Sequence, residues 1–353
     1  LSARLPRRAA LRLARGLLLL GLAGCAGVGP QRLDLDQIGY ADALGEGLKR
    51  QMLLNMVRLR YADVPTFLAV SQVISGYQLQ TTATAGLNAY PNAAPGNYAT
   101  VGGTVQYTTR PTFTLTPVTG QRFAQSYLRP LAPAELLSLA QSGAPVDLLF
   151  RLGVQSVNGL PNGATSGGRA QEASGGFLAL MQALRQIQSA GAVNLRFERQ
   201  QGGPRVFLLL DADHAPAATA VRQARQLLGV PPGTREVEVV YGRLPNGRAQ
   251  VAVLTRSVLQ ILYELGGRIE VAEADVRRGE TRPTDPGEGL IRIHQGDREP
   301  RDAYAAVPYR GRCFWVDAAD YRSKGAFSFA YVLQVLAESG QGQPTPIVTI
   351  PAQ

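Results

Sequence analysis

The chain has 353 residues and a mass of 37.7 kDa, with a formal charge of +10, 45% apolar and 18% charged residues. That is ordinary globular usage, too apolar for intrinsic disorder and long enough for one large or two modest cores. Two cysteines exclude a disulfide scaffold, two histidines leave little for a metal cage, and no run of about 18 apolar residues offers a transmembrane helix.

The first segment reads LSARLPRRAALRLARGLLLLGLAGCAG. Arg4, Arg7, Arg8, Arg12 and Arg15 come without an acid, and a short apolar stretch, Gly16 to Ala23, follows. This is the charged start and apolar centre of an export signal. Arg7-Arg8 faintly resembles a twin-arginine leader. Leu22-Ala23-Gly24-Cys25 resembles the lipobox of bacterial lipoproteins. That resemblance implies peptidase recognition of Leu22, Ala23 and Gly24, cleavage before Cys25, a diacylglycerol thioether on Cys25 and acylation (a palmitate-type chain) of the new amino terminus. Two or more acyl chains hold a protein on a bilayer stably, because each buried CH₂ contributes ~0.8 kcal/mol. Ala26 in place of Asp implies sorting to the outer membrane, facing the periplasm. The expected partner is therefore the membrane, reached through Cys25. Removal of the five leader arginines takes the formal charge from +10 to +5. With no run of five like charges, nucleic acid is not an expected partner.

Residues 25–38 read as a polar tether. From Ala41 to Tyr61, Leu44, Leu48, Met52, Met56 and Leu59 recur at helical spacing, and Pro65 ends the section. Strict alternation then takes over. Tyr77, Leu79, Thr81, Ala83, Ala85, Leu87 and Ala89 share one face, and Gln78, Gln80, Thr82, Thr84, Gly86 and Asn88 the other. After a turn-rich stretch, Pro91 to Asn97, alternation resumes through Ala99, Val101, Gly103, Val105 and Tyr107. No charged residue occurs from Gly76 to Thr109. The pattern predicts a long β-hairpin over 77–109.

Residues 121–142 read as two helical pieces broken by Pro130 and Pro133, 146–157 as a strand, and 158–176 as a flexible loop. Two strand pairs are expected next: Val193–Glu198 with Val206–Leu210, and Glu236–Tyr241 with Ala249–Leu254. The second is expected to turn at Asn246-Gly247, a dipeptide suited to tight hairpins. Helices follow each pair, one ending at Leu228 and one starting at Thr255. A third pair, 303–308 with 313–317, precedes a helix at 323–338 and a strand at 347–350. Three hairpin-then-helix units give an α+β fold class, with antiparallel sheets plus the long N-terminal hairpin. On this pattern the chain divides into a signal peptide (1–24), a tether (25–38), a helix-and-hairpin region (39–157), a flexible loop (158–176) and an α+β domain (177–353).

No phosphate loop, hydrolase elbow or zinc motif is present, so neither an enzyme nor a cofactor is expected. Asp211, Asp213 and His214 at a strand exit could hold Mg²⁺ or act as acid and base, but carboxylates there more often cap the next helix. The same holds for Asp317 and Asp320. Cys313 reads as a packed strand residue, and Trp315 as an anchor rather than part of a sugar groove.

The hairpin carries the functional expectation. Tyr77 and Tyr107 at its base, and Tyr90 and Tyr98 near its tip, sit where an aromatic membrane girdle would lie. A single hairpin cannot close in lipid, so spanning would require an oligomeric barrel. In outline this resembles ring-forming outer-membrane lipoprotein channels. The chain also resembles an uncharacterised class of bacterial lipoproteins. The expected role is a lipid-anchored envelope protein of structural or interaction type, partnered by other envelope proteins or by itself. The alternatives are an oligomeric pore or secretion component using residues 77–109, and an enzyme acting on envelope polymers.

Overall fold

The computed structural model describes residues 30–88, 98–166, 169–200, 204–209, 215–285, 287 and 289–339. The fold is α+β, and its contacts divide it into one unit of residues 66–129 and another built from the segments on either side.

Helix α1 (Pro30–Arg60) realises the Leu48-Met52-Met56 period. It begins inside the segment expected to be a tether. Proline fits a first helical turn, whose N–H groups have no intrahelical acceptor. Toward its end α1 buries Met52, Leu53, Met56 and Val57. Its last residues are pinned by polar bonds. Arg60, 8% exposed, donates to the carbonyls of Arg282 (2.8 Å) and Pro283 (3.0 Å). The Tyr61 hydroxyl donates to Asp275 Oδ2 at 2.8 Å. Burial, and the bond to Asp275, push the Tyr61 phenol well above the usual tyrosine range.

In the 66–129 unit, β1 (Leu68–Asn88) pairs antiparallel with β2 (Tyr98–Pro117), from Leu68 opposite Pro117 to Asn88 opposite Tyr98. The hairpin thus extends beyond 77–109 at its base. One irregularity falls between Val70 and Gln72. Below it, the Val118 N–H donates to Phe67 O at 2.9 Å. A short helix α2 (Gly120–Phe123) runs into a π-turn, Ala124–Leu128. The rings of Phe67 and Tyr127 lie 3.9 Å apart, and those of Phe123 and Tyr127 5.6 Å apart.

The other unit resumes with α3 (Pro133–Gln141) and α4 (Val146–Gly153), followed by β3 (Val154–Val157) and β4 (Leu160–Pro161). The expected strand at 146–157 is therefore mostly helix. Val146, Leu149, Phe150 and Leu152 are buried on one helical face, and only the last four residues alternate as a strand. The segment expected as a flexible loop, 158–176, holds β4, β5 (Ala164–Ser166) and β6 (Arg169–Gln171). Next come α5 (Gly175–Ser189), β7 (Asn194–Glu198), β8 (Arg205–Leu209) and α6 (Ala218–Leu228), the last closed by Gly229 at φ +64°. Then follow β9 (Glu236–Tyr241), β10 (Gln250–Thr255) and α7 (Val258–Gly266), which starts after the N-cap Ser257 rather than at Thr255. The chain continues through α8 (Glu273–Arg277), β11 (His294–Gly296), β12 (Ala303–Tyr309), β13 (Arg312–Asp317) and α9 (Tyr321–Ser339). The strand expected at 347–350 lies outside the described residues.

Six strands form one sheet in the order β4-β3-β10-β9-β8-β7. All neighbours are antiparallel except β9 and β10, which run parallel, Gln250 opposite Glu238 and Val253 opposite Tyr241. The expected Asn246-Gly247 hairpin is therefore absent, and the second hairpin-then-helix unit with it. The tight Asn-Gly turn sits elsewhere. Asn158 (φ +44°) and Gly159 (φ +78°) join β3 to β4 with both angles positive, as a two-residue hairpin requires. Asn158 is held there because its Oδ1 accepts from Ala252 N (2.6 Å) and its Nδ2 donates to Leu228 O (2.6 Å).

One face of the sheet meets α3, α4 and α5 across an apolar cavity of about 40 Å³ lined by Leu137, Phe150, Leu180, Val157 and Val253 among others. The other face is polar. There Arg196 pairs with Glu198 and Glu236, Arg205 pairs with Glu238 at 2.6 Å, and both guanidinium groups flank the Phe207 ring. One apolar and one solvated face is the usual economy of an antiparallel sheet. A second sheet, β11-β13-β12, turns at Arg310-Gly311. Helix α7 packs on α1, and α9 packs on α7 and α4.

Candidate functional site

The hairpin is the first candidate. β1 and β2 pair with each other and with no other strand among the described residues. In a two-stranded antiparallel ribbon about half of each strand's N–H and C=O groups point outward. Here that leaves two long edges with no partner strand among the described residues. No charged residue falls between Asp63 and Arg110, so the side chains that usually block edge pairing are missing from β1 and most of β2. Pro111, opposite Ser75, interrupts the β2 edge toward its base. The register sets Tyr77 opposite Thr109, Tyr107 opposite Leu79 and Tyr98 opposite Asn88. Tyr90 lies outside the described residues, as do Leu22, Ala23, Gly24 and Cys25, and Asp211, Asp213 and His214.

Other residues singled out in the sequence have structural partners. Asp320 caps α9: its Oδ1 accepts from Ser323 N at 3.0 Å and its Oδ2 from Ser323 Oγ at 2.7 Å. The bonds from Ser323 hold its carboxyl below the usual aspartate range. Asp317 Oδ1 accepts from Ala319 N at 2.9 Å, closing a turn. Cys313 is a buried free thiol on β13, and burial pushes its pKa up. Trp315, its neighbour but one, lies 5.7 Å from the His294 ring, and His294 Nδ1 is 3.0 Å from Glu270 Oε1. Among the described residues, no three metal-ligating side chains cluster, and no helix is long and apolar enough to cross a membrane.

A second candidate went unmarked in the sequence. Residues of β3 and β4, β5, β6, α7 and the connection after β9 enclose an open cleft of about 330 Å³. Its frame is a set of buried polar groups. Arg256, 3% exposed, donates through Nη1 to Arg151 O (2.8 Å) and Leu152 O (3.1 Å), and through Nη2 to Gly163 O. Burial lowers its pKa, and Glu264, 4.0 Å away, opposes that shift. Asn162 donates to Val154 O (2.7 Å) and Arg151 O (2.9 Å), while its Oδ1 accepts from Gly163 N. Glu264 Oε1 accepts from Thr165 N at 2.7 Å. Gln260 and Ser257 form a reciprocal cap on α7, and Gln155 Nε2 donates to Thr255 O at 2.8 Å. These bonds fix the irregular backbone from 158 to 165 against the sheet.

The remaining lining groups are not engaged. The side chains of Gln171, Arg243 and Tyr263 make no hydrogen bond among the described residues. Ser156, 5% exposed, has a buried hydroxyl with no partner. Among the described residues the cleft therefore offers an amide, a phenol and a guanidinium without an ion-pair partner above a hydrogen-bonded frame, an arrangement for binding. Its residues come from six separate segments, so no motif announces them. The one local cue was the Asn158-Gly159 turn, inside a stretch rich in glycine.

The chain matches no protein family, no curated protein and no solved structure.

Proposed function

We propose that this chain is a lipid-anchored protein of the cell envelope whose hairpin is an assembly element, joining copies edge to edge. The observation that carries the reading is a ribbon of strands of 21 and 20 residues that pair with no other strand among the described residues and carry no charge from Leu68 to Asn88 or from Tyr98 to Thr109. The β1 edge of one copy and the β2 edge of the next are different surfaces. Repeated pairing of that kind is heterologous and closes into a ring when the rotation permits. The lipobox-like Leu22-Ala23-Gly24-Cys25 supports the anchor, and the leader arginines support export. The proposed role is structural.

The test is purification of the full-length chain in detergent. The expected result is a mature N-terminus carrying diacylglycerol and acyl mass on Cys25, and a discrete oligomer by light scattering. Proline placed at alternate positions of β1, for instance at Thr82 and Thr84, is expected to convert the oligomer to monomer. An unmodified Cys25 thiol overturns the anchor, and a wild-type monomer overturns the assembly.

A second reading, a pore, rests on the register of the tyrosines. Nine residues along β2 separate Tyr98 from Tyr107. At ~3.4 Å per residue that is about 30 Å, the thickness of a bilayer's hydrocarbon core. Ion conductance of the purified oligomer in planar bilayers decides it.

A further inference from the structure

We propose that the cleft around Arg256 binds an acidic saccharide, a short sugar chain bearing hydroxyl, acetamido and carboxylate groups. This inference goes beyond the envelope reading and depends on neither the anchor nor the hairpin.

The first argument is about the frame. A buried guanidinium and a buried amide add little net stability compared with apolar side chains of the same size. What Arg256 and Asn162 do is tie the backbone at 162–163, between β4 and β5, to the end of α4 and the start of β3. Binding sites need that kind of support beneath the contacting groups, because it removes the ordering cost on association.

The second argument is about the contacting groups. Glu264 is already engaged by Thr165 N and faces Arg256, so among the described residues the lining's charge without an ion-pair partner is the Arg243 guanidinium. A planar guanidinium matches a carboxylate through two parallel hydrogen bonds. Gln171 supplies one amide donor pair and one acceptor, suited to hydroxyl and acetamido groups. The Tyr263 ring, 38% exposed, presents a flat apolar face with a polar tip, which suits the C–H face of a pyranose. The volume, about 330 Å³, is at the small end of ligand pockets and fits a short segment rather than a large cofactor.

The third argument is against a peptide. One recurring way for a peptide to dock is by adding a strand to a free sheet edge. The edge strand here is β4, only two residues long, and its Pro161 has no N–H to offer. The Pro161 carbonyl already accepts from both Ser174 N (3.0 Å) and Ser174 Oγ (3.1 Å).

The experiment is saturation-transfer NMR and calorimetry on the detergent-purified full chain. The probes are the disaccharide of N-acetylglucosamine and N-acetylmuramic acid, neutral diacetylchitobiose, and trialanine. The expected result is binding of the acidic disaccharide below ~1 mM, with saturation of its acetamido methyl groups, and binding of chitobiose at least about tenfold weaker. Arg243→Ala is expected to abolish the preference for the acidic sugar, and Tyr263→Ala to weaken both sugars several-fold. Because neither side chain makes a hydrogen bond or ion pair among the described residues, both variants are expected to melt with the wild type. No binding of the acidic disaccharide, equal binding of the neutral one, a preference unchanged by Arg243→Ala, or tighter binding of trialanine overturns the proposal.

Discussion

Arg256 and Glu238 both carry charge-assisted bonds, yet their surroundings assign them different weights. Arg256 serves three carbonyls from inside the protein. Replacement by Met keeps the stem and strands those acceptors, so Arg256→Met is expected to lose about 3 kcal/mol in urea unfolding. Glu238 meets Arg205 and Gln250 on the open face of the sheet, and Glu238→Gln is expected to cost less than ~1 kcal/mol. Asp320 adds a pH signature. Its carboxyl is held below the usual range, so its stabilisation is present above the unfolded-state pKa and fades as pH falls through the folded-state value. Asp320→Ala is expected to melt lower at pH 7, by the ~1 kcal/mol of a lost cap, and the gap to wild type is expected to narrow by pH 3. Cys313 is buried with a raised pKa. It is expected to resist iodoacetamide in the native protein and react on denaturation, as intact mass will record.

Glycines at element ends separate two kinds of constraint. Gly229 closes α6 in the left-handed region with nothing within 4 Å of where a Cβ would stand. Gly229→Ala is therefore expected to cost about 1 kcal/mol from backbone strain alone. At Gly266 the backbone angle is ordinary, but an added Cβ would stand 2.9 Å from Met56 O. Gly266→Ala is expected to cost more, since α7 must move off α1, and thermal melts rank the two. The same contrast explains what could be read from the sequence. Periodicity in one segment was legible: the Leu48-Met52-Met56 stripe of α1, the alternation of the hairpin, the helix end at Leu228. Pairing partners were not. Asn246-Gly247 has the composition of a hairpin turn, but β9 is taken on its other side by β8 and β10 by β3, and those partners leave the two strands parallel. Residues 146–153 are apolar enough for either state, and burial along one helical face decided it. The cleft was invisible because its parts, from Gln155 to Glu264, meet only after the sheet has formed.

At the scale of the whole molecule, the contacts that complete the core are far apart in sequence. β3 pairs with β10, about a hundred residues on. The apolar side of α1, with Leu53, Met56 and Val57, is packed by α7 and β12. A chain truncated before Val258 is expected to leave that side bare and to be digested throughout by dilute protease, while the full chain is cut slowly in its body. The long closure also predicts slow folding for the unit's size.

That distance has a cost during synthesis. A ribosome delivers α1 first and its cover roughly two hundred residues later, a wait of about 10–40 s at ~5–20 residues per second. For that interval a finished amphipathic helix is exposed beside a ribbon ready to pair with its neighbours. The apolar stripe around Met56 is therefore expected to stay accessible on the nascent chain until the last third of the protein arrives, and crosslinking from Met56 on stalled chains of increasing length will record when it is covered.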